Sequence, residues 1–200
     1  MAKDTSVLNA PRLKALYSTK LRADLKKSLD LSNLHEVPQL EKIVINVGMG
    51  RAKDDKRMFE VVRTTLRKIT GQQPVEIMAK KSIASFKIRK GMNTIGMKVT
   101  LRDERMYEFL DRLTNVVLPR VRDFHGVSHK AFDPKGNYSL GVTEQSVFPE
   151  LTFEDVSQLH GLQINFVINN SDPKKSQALL EGFGIPFEKS LAQLSEKENA

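Results

Sequence analysis

The chain has no cysteine and no tryptophan, and only three of its 200 residues are tyrosine. The absence of cysteine excludes a disulfide scaffold, a thiolate zinc site and a cysteine nucleophile. The scarcity of Trp and Tyr argues against a platform that stacks many nucleic-acid bases. No apolar run reaches the length of about 18 residues that a membrane-spanning helix needs. The opening Met-Ala-Lys-Asp has no apolar signal-peptide core, so we expect a cytoplasmic protein.

Positive charge dominates the chain, but not along its whole length. The formal net charge is +8 and the sequence pI is about 9.6. Residues 1–138 hold 28 Lys and Arg against 15 Asp and Glu, an excess of 13 positive charges. Residues 139–200 hold 4 against 9, an excess of 5 negative charges. This balance favours a polyanionic partner, with nucleic acid ahead of an anionic membrane.

One window of the basic part, from Ile77 to Arg102, contains no carboxylate. Its cations have no internal counter-ion, so they repel one another unless an external anion neutralises them. They are Lys80, Lys81, Lys87, Arg89, Lys90, Lys98 and Arg102. The window predicts a phosphate-contacting surface, and an ordinary solvated face is the alternative interpretation.

Hydrophobic periodicity predicts an α+β fold. Apolar residues at helical spacing predict helices over residues 11–31, 54–70, 103–118 and 173–181. Alternating and β-branched runs predict strands over residues 41–47, 74–79, 94–102, 138–144 and 162–168. We expect one domain over residues 1–189, which includes the N-terminal helix, followed by a polar tail over 190–200. Its architecture is predicted to be a mostly antiparallel sheet with helices packed on one face.

Strand alternation also predicts a polar surface. Lys42 and Asn46 lie opposite the apolar residues of the first strand, and Lys98 and Thr100 lie opposite those of the third. If these four residues share the face that the helices leave uncovered, that face can bind a ligand. Asp103, directly after the third strand, is expected to cap the helix that follows.

Glycine-rich segments give no nucleotide-binding loop. Gly48-Met49-Gly50 follows a strand, but Lys53 stands where a dinucleotide loop needs its third glycine. Gly91 and Gly96 have the spacing of a phosphate loop, but Met97 stands where the lysine belongs. Tight turns therefore explain the glycines at 48, 50 and 91 without any ligand.

No constellation for catalysis or metal binding is present in the sequence. Of the four histidines, only His125 and His129 have i,i+4 spacing, with Gly126 between them and no zinc-peptidase carboxylate pattern. No Gly-x-Ser-x-Gly nucleophile elbow occurs. We therefore expect no enzymatic activity, no metal and no cofactor.

Several ordered motifs resemble those of one protein family. They are Glu41-Lys-Ile-Val-Ile-Asn-Val-Gly48, Ala79-Lys-Lys-Ser-Ile-Ala-Ser-Phe-Lys-Ile-Arg-Lys-Gly91, Ile95-Gly-Met-Lys-Val-Thr-Leu-Arg102, Arg122-Asp-Phe-His-Gly126, Phe132-Asp-Pro-Lys-Gly-Asn-Tyr138, Phe148-Pro-Glu150 and Phe183-Gly-Ile-Pro-Phe187. Each motif is weak alone, but together they are specific and cover roughly residues 10–189. The chain resembles the bacterial family of 5S-rRNA-binding proteins of the large ribosomal subunit, the fifth large-subunit protein.

The resemblance implies a non-enzymatic, ribosome-associated protein of the central protuberance. Its implied partners are 5S rRNA, 23S-type rRNA, P-site tRNA and neighbouring ribosomal proteins, with no membrane partner. Family-matched positions imply 5S rRNA binding by Asn46, Gln72, Phe86 and Thr100, and we add Lys42 and Lys98 from the predicted polar face. The segment from Lys80 to Gly91 matches a loop that approaches tRNA. Its expected contacts are Lys80, Lys81, Ser82, Lys87, Arg89 and Lys90.

Three alternatives stay open. Phe86 either stacks on a base or sugar, or anchors its loop on the core. A membrane-surface protein could use the amphipathic N-terminal helix, although Asp24, Asp30 and the lack of Trp or Phe on its apolar stripe argue against this. An RNA-modifying enzyme is the third class, and it lacks a catalytic constellation.

Overall fold

A five-stranded sheet forms the centre of the computed structural model, which describes residues 11–50, 55–92 and 94–188. The strands are β1 Gln39–Gly48, β2 Val75–Met78, β3 Thr94–Leu101, β4 Tyr138–Val142 and β5 Leu162–Asn169. All pairings are antiparallel, in the order β2-β3-β1-β5-β4. The five predicted strands are confirmed, whereas the predicted tail over 190–200 lies outside the described residues.

The helices are also close to those predicted from periodicity. The first is built of α1 Arg12–Leu16, a π-helical turn Tyr17–Leu21 and α2 Arg22–Ser28. The others are α3 Lys56–Thr70, α4 Asp103–Arg112 and α5 Pro173–Gly182. Gly71 ends α3 in the left-handed region, with φ of 65°, and its N–H bonds to the Arg67 carbonyl. A π-helical turn Leu113–Val117 and a 3-10 turn Leu118–Arg120 extend α4.

One hydrophobic core joins the helices to one face of the sheet. Buried side chains alternate along the strands, as with Ile43, Ile45 and Val47 in β1. They form a single cluster with the apolar stripes of the helices, which include Val62, Leu66 and Ile69 in α3, and Phe109 and Leu110 in α4. This arrangement confirms the α+β fold with helices on one face of the sheet.

The apolar stripe of the N-terminal helix belongs to the same core. Leu13, Tyr17 and Leu25 are each less than a tenth exposed, and the Tyr17 hydroxyl donates to the Pro38 carbonyl at 3.0 Å. Protein atoms therefore cover the surface that a membrane-bound helix would have to insert into lipid. Among the described residues, the helices also lack the combination of length and apolar character that a membrane-spanning segment needs.

A β-bulge in β1 sets which residues face the core. Leu40 pairs with Ile168 and Lys42 with Val167, so Glu41 is an extra residue with no partner in β5. Leu40 and Ile43 are both buried, although they lie three positions apart. The bulge thus places two residues between two core positions, and alternation then puts Lys42 and Asn46 on the opposite face.

Two local predictions are wrong. Asp103 does not cap α4: it is the first helical residue, with φ of 51°, and the N-cap position belongs to Arg102. Because β3 runs into α4 with no loop between them, Asp103 makes the turn itself and does not adopt the extended conformation of a cap. Gly48 does not serve a tight turn either, because it is the last residue of β1 and its φ is not positive.

The Asp155 carboxylate ties the segment before β5 to α3. Asp155 Oδ2 lies 2.6 Å from Lys68 Nζ, and it accepts hydrogen bonds from the Thr152 N–H at 2.9 Å and hydroxyl at 2.7 Å. These bonds lower the pKa of Asp155 to about 2, and the hydrogen bond from Lys68 has the largest effect. The ionised carboxylate therefore stabilises the folded state above the unfolded pKa, near 4.

We expect Asp155→Asn to lower the melting temperature most at pH 5–7. The difference from the parent protein should shrink as the pH falls from about 4 towards 2, because Asp155 then becomes protonated in the parent protein too. Thermal unfolding followed by circular dichroism across this range measures the effect. Glu154→Gln, which removes the neighbouring exposed carboxylate, is the control. A difference that does not change with pH would contradict the assignment.

Candidate nucleic-acid interface

The side of the sheet opposite the helices, here called the outer face, collects four of the residues predicted from the sequence. Asn46 in β1 pairs with Lys98 in β3, and Val44 pairs with Thr100. Lys42 lies two residues before Val44 in β1, and its side chain is on the same side of the sheet. Lys98 is exposed, whereas Lys42, Asn46 and Thr100 are half-buried. The structure therefore brings these side chains onto one continuous surface.

The outer face continues across β5 and β4, with polar residues that the sequence reasoning did not single out. Gln163 is the β5 partner of Asn46, and Asn165 is the β5 partner of Val44. Ser139 in β4 pairs with Asn165, and its hydroxyl donates to Asn165 Oδ1 at 2.9 Å. Alternation along β5 could have shown that Gln163 and Asn165 face away from the core, but only the strand order shows that they flank β1.

Negative charge is nearly absent from the outer face. On the five described strands, the single carboxylate on this side is the bulge residue Glu41, and it lies 2.9 Å from Lys42 Nζ. The hydrogen bond from Lys42 is the main cause that lowers the pKa of Glu41. Lys98 has no ion pair with any described residue. The unneutralised charge of the face is therefore positive, and it is centred on β3.

Gln72 and Phe86 lie away from the outer face. Gln72 is half-buried in the turn between α3 and β2, where its backbone N–H donates to Thr70 Oγ1 at 3.2 Å. Phe86 lies in the segment between β2 and β3. The set of four family-matched positions is thus divided: Asn46 and Thr100 share the sheet surface, Gln72 lies at the end of α3, and Phe86 projects with the connecting loop.

The segment Ala79–Met92, here called the basic loop, is folded by its own hydrogen bonds. Ile83 and Ile88 exchange two backbone bonds, at 2.9 and 3.1 Å, which form a miniature hairpin. At the base of the loop, the Gly91 N–H donates to the Ala79 carbonyl at 2.9 Å, and Gly91 has φ of 71°. The positive φ confirms that Gly91 serves a turn.

The five cations of the basic loop all lie on its exposed surface. They are Lys80, Lys81, Lys87, Arg89 and Lys90. Ser82 accepts a hydrogen bond from the Lys90 N–H at 3.0 Å, so its hydroxyl joins the two arms of the loop. Phe86, in the turn of the hairpin, is 64% exposed, and the core cluster does not include it. Anchoring of the loop in the hydrophobic core is therefore not the role of Phe86.

In the described parts of the chain, no group of three or more His, Asp and Glu side chains is arranged to hold a metal ion. His129 Nε2 lies 2.7 Å from the Glu188 carbonyl oxygen, and its ring stacks on Phe187. These contacts give His129 a packing role between the loop before β4 and the end of the described chain.

Comparison with known proteins assigns the chain to a family. The model described as "Ribosomal protein L5" matches residues 33–89, and the model for the C-terminus of the same ribosomal family matches residues 94–187. The large ribosomal subunit protein uL5 of Synechococcus sp. (strain JA-2-3B'a(2-13)) is 53% identical over 176 residues, which are 88% of this chain and 97% of that protein. The protein of the same name from Leptospira biflexa is 51% identical over 177 residues, 88% and 96% of the two chains.

A third relative, the uL5 protein of Pediococcus pentosaceus, is 50% identical over 180 residues, 90% of this chain and 99% of that protein. These matches define the class first: a ribosomal protein, associated with the ribosome and structural rather than enzymatic. The chain belongs to the ribosomal L5 family. Its family membership confirms the resemblance read from the ordered motifs and removes the RNA-modifying enzyme from the alternatives.

Proposed function

We propose that this protein is the large-subunit component that binds 5S rRNA through its outer face and contacts P-site tRNA through its basic loop. In this role it helps to attach 5S rRNA to the subunit at the central protuberance, next to 23S-type rRNA and neighbouring ribosomal proteins. The observation that carries the proposal is the outer face: a broad sheet surface that none of the described helices covers, rich in amides and hydroxyls and poor in carboxylates.

The chemistry of the outer face suits a structured RNA. Asn46 and Thr100 offer uncharged donors and acceptors, which can bond to ribose 2′-hydroxyls and phosphate oxygens in fixed directions. Because they sit on adjacent central strands, the backbone ladder holds them in place. Lys98 adds an attractive charge beside Asn46 without a competing carboxylate. Positioning groups and one source of attraction for phosphate therefore lie on the same surface.

The basic loop suits a second polyanion. Its five cations are exposed residues of a small loop beyond the sheet, and the sequence from Ile77 to Arg102 contains no carboxylate that would compete with a phosphate. A loop already closed by backbone hydrogen bonds loses less conformational entropy on binding than an open one. These features support a contact with tRNA that is separate from the rRNA surface.

Variants of the outer face and variants of the basic loop should affect 5S rRNA binding and P-site tRNA binding separately. Asn46→Ala and Thr100→Ala should each weaken 5S rRNA binding about three- to ten-fold, because each removes a directed hydrogen bond. Lys80→Ala/Lys81→Ala should leave 5S rRNA affinity almost unchanged and reduce P-site tRNA binding by large subunits reassembled with the variant. Filter binding with purified 5S rRNA and tRNA binding to the reassembled ribosomes measure the two effects.

Matched controls make the comparison specific. Gln177→Ala removes an amide from α5, and Lys26→Ala/Lys27→Ala removes two adjacent lysines from α2, so neither should alter either activity beyond about two-fold. The proposal fails for the outer face if Asn46→Ala binds 5S rRNA as the parent does, or if the parent protein binds an unrelated RNA hairpin equally well. It fails for the loop if the Lys80/Lys81 variant binds P-site tRNA normally.

Charge on the outer face should act through Lys98 rather than through Lys42. Lys98→Met should reduce the slope of log affinity against log salt by about 0.7–0.9, the contribution of one neutralised phosphate. Glu41→Gln/Lys42→Met removes an ion pair whose charges already cancel, so the slope should stay as in the parent. Titrations of 5S rRNA at several salt concentrations provide the slopes. Equal slopes for the parent and Lys98→Met would remove Lys98 from the interface.

A further inference from the structure

The outer face is wider than the set of residues that the proposed function uses. Asn46 lies between Lys98 of β3 and Gln163 of β5 in one row across the sheet. The adjoining row runs from Thr100 through Val44 to Asn165 of β5 and Ser139 of β4. Directly opposed side chains in such rows have Cβ atoms about 4.5–5.5 Å apart. Gln163 and Asn165 therefore stand within one side-chain length of the β1 residues.

The amide of Asn165 is held in a defined orientation. The Ser139 hydroxyl donates to Asn165 Oδ1 at 2.9 Å across the β4–β5 pair. With Oδ1 bonded in this way, the Nδ2 group of Asn165 remains to donate two hydrogen bonds. The half-buried Asn165 thus presents a donor on a surface where Lys98 already favours negative charge. An acceptor such as a phosphate or ribose oxygen complements that donor.

Within the described part of the chain, two glycines beside the amides have no reason in the fold itself for being glycine. Gly48 and Gly141 are exposed strand residues without positive φ, and a Cβ built on either would meet no atom of the described residues within 4 Å. Glycine inside a strand destabilises the fold relative to alanine, because its backbone loses more conformational freedom on folding. Gly96 is different, because a Cβ there would lie 2.7 Å from the Val47 carbonyl oxygen.

These two glycines lie on two sides of the Asn46–Gln163 pair. Gly141 is the β4 partner of Gln163, and Gly48 is two residues beyond Asn46 on the same side of β1. Because neither glycine has a side chain, the sheet surface is recessed next to the longer amide side chains of Asn46 and Gln163. Close approach of another backbone is the usual reason for a strand glycine that neither bends the chain nor avoids a clash.

We propose that Gln163 and Asn165 are further RNA-contacting residues, and that Gly48 and Gly141 give the RNA backbone room to reach them. The ligand class is the ribose–phosphate backbone of a folded RNA: the Gln163 amide both donates and accepts, as a 2′-hydroxyl does, and Asn165 donates to an oxygen. This inference rests on the proposed 5S rRNA function and extends that site from β1 and β3 across β5 to β4.

The test distinguishes a loss of space for the RNA from a loss of protein stability. Gly141→Val places a β-branched side chain on an exposed strand position with free space, so the melting temperature should stay the same or rise. The same variant should bind 5S rRNA at least ten-fold more weakly, because the side chain occupies the space of the RNA. Gln163→Ala and Asn165→Ala should each weaken binding about three- to ten-fold. Gln177→Ala is the matched amide control and should bind as the parent does.

Each outcome decides between this inference and the function on which it rests. If Asn46→Ala weakens 5S rRNA binding while Gly141→Val, Gln163→Ala and Asn165→Ala all bind within two-fold of the parent, the extended surface is refuted and the proposed function stands. If Asn46→Ala and Thr100→Ala also bind normally, both are refuted. A loss of affinity in Gly141→Val together with a lowered melting temperature counts against the clearance role, and the two amide variants then decide the rest.

Discussion

The outer face depends on one extra residue in the central strand. β1 pairs with β3 on one side and β5 on the other, so its side-chain alternation sets the surface chemistry of the whole sheet. Leu40 and Ile43 are both in the core, a spacing that a regular strand forbids because its side chains alternate with period two. The Glu41 bulge restores the alternation, so that Leu40 stays buried while Lys42 and Asn46 reach the outer face.

Ion pairs between separate elements lie on the side of the sheet that the helices cover. Arg12 pairs with Asp111 and Arg112 with Glu150, and both pairs join separate elements on the helical side. Solvent screens the charges of such partly exposed pairs, so their stabilising effect is small. Their placement matters more for binding: carboxylates engaged among the helices are kept away from the outer face, where they would repel phosphate.

Local order was predictable from the sequence because it depends on periodicity alone. The alternation in β1 and the stripe of α3 required only the spacing of apolar residues. The partnership of Asn46 with Gln163 was not predictable, since it follows from a strand order that joins distant parts of the chain. Asp103 shows the limit of a local rule: an acidic residue before a helix usually caps it, but here β3 leads into α4 without a loop. The role of Ser82 depends likewise on a hairpin that composition does not reveal.

The basic loop and the outer face are mechanically connected through β3. The loop enters β3 at Thr94, and Lys98 lies four residues further on, about 13 Å along a strand that rises about 3.3 Å per residue. The strand between them is fixed by ladders on both sides, to β1 and to β2. The loop is closed at its base by the bond from Gly91 to Ala79, which limits its freedom to swing. Under the proposed function, the fold would therefore fix the orientation of the loop cations relative to an RNA bound on the outer face, and the protein could present this charge to a second RNA.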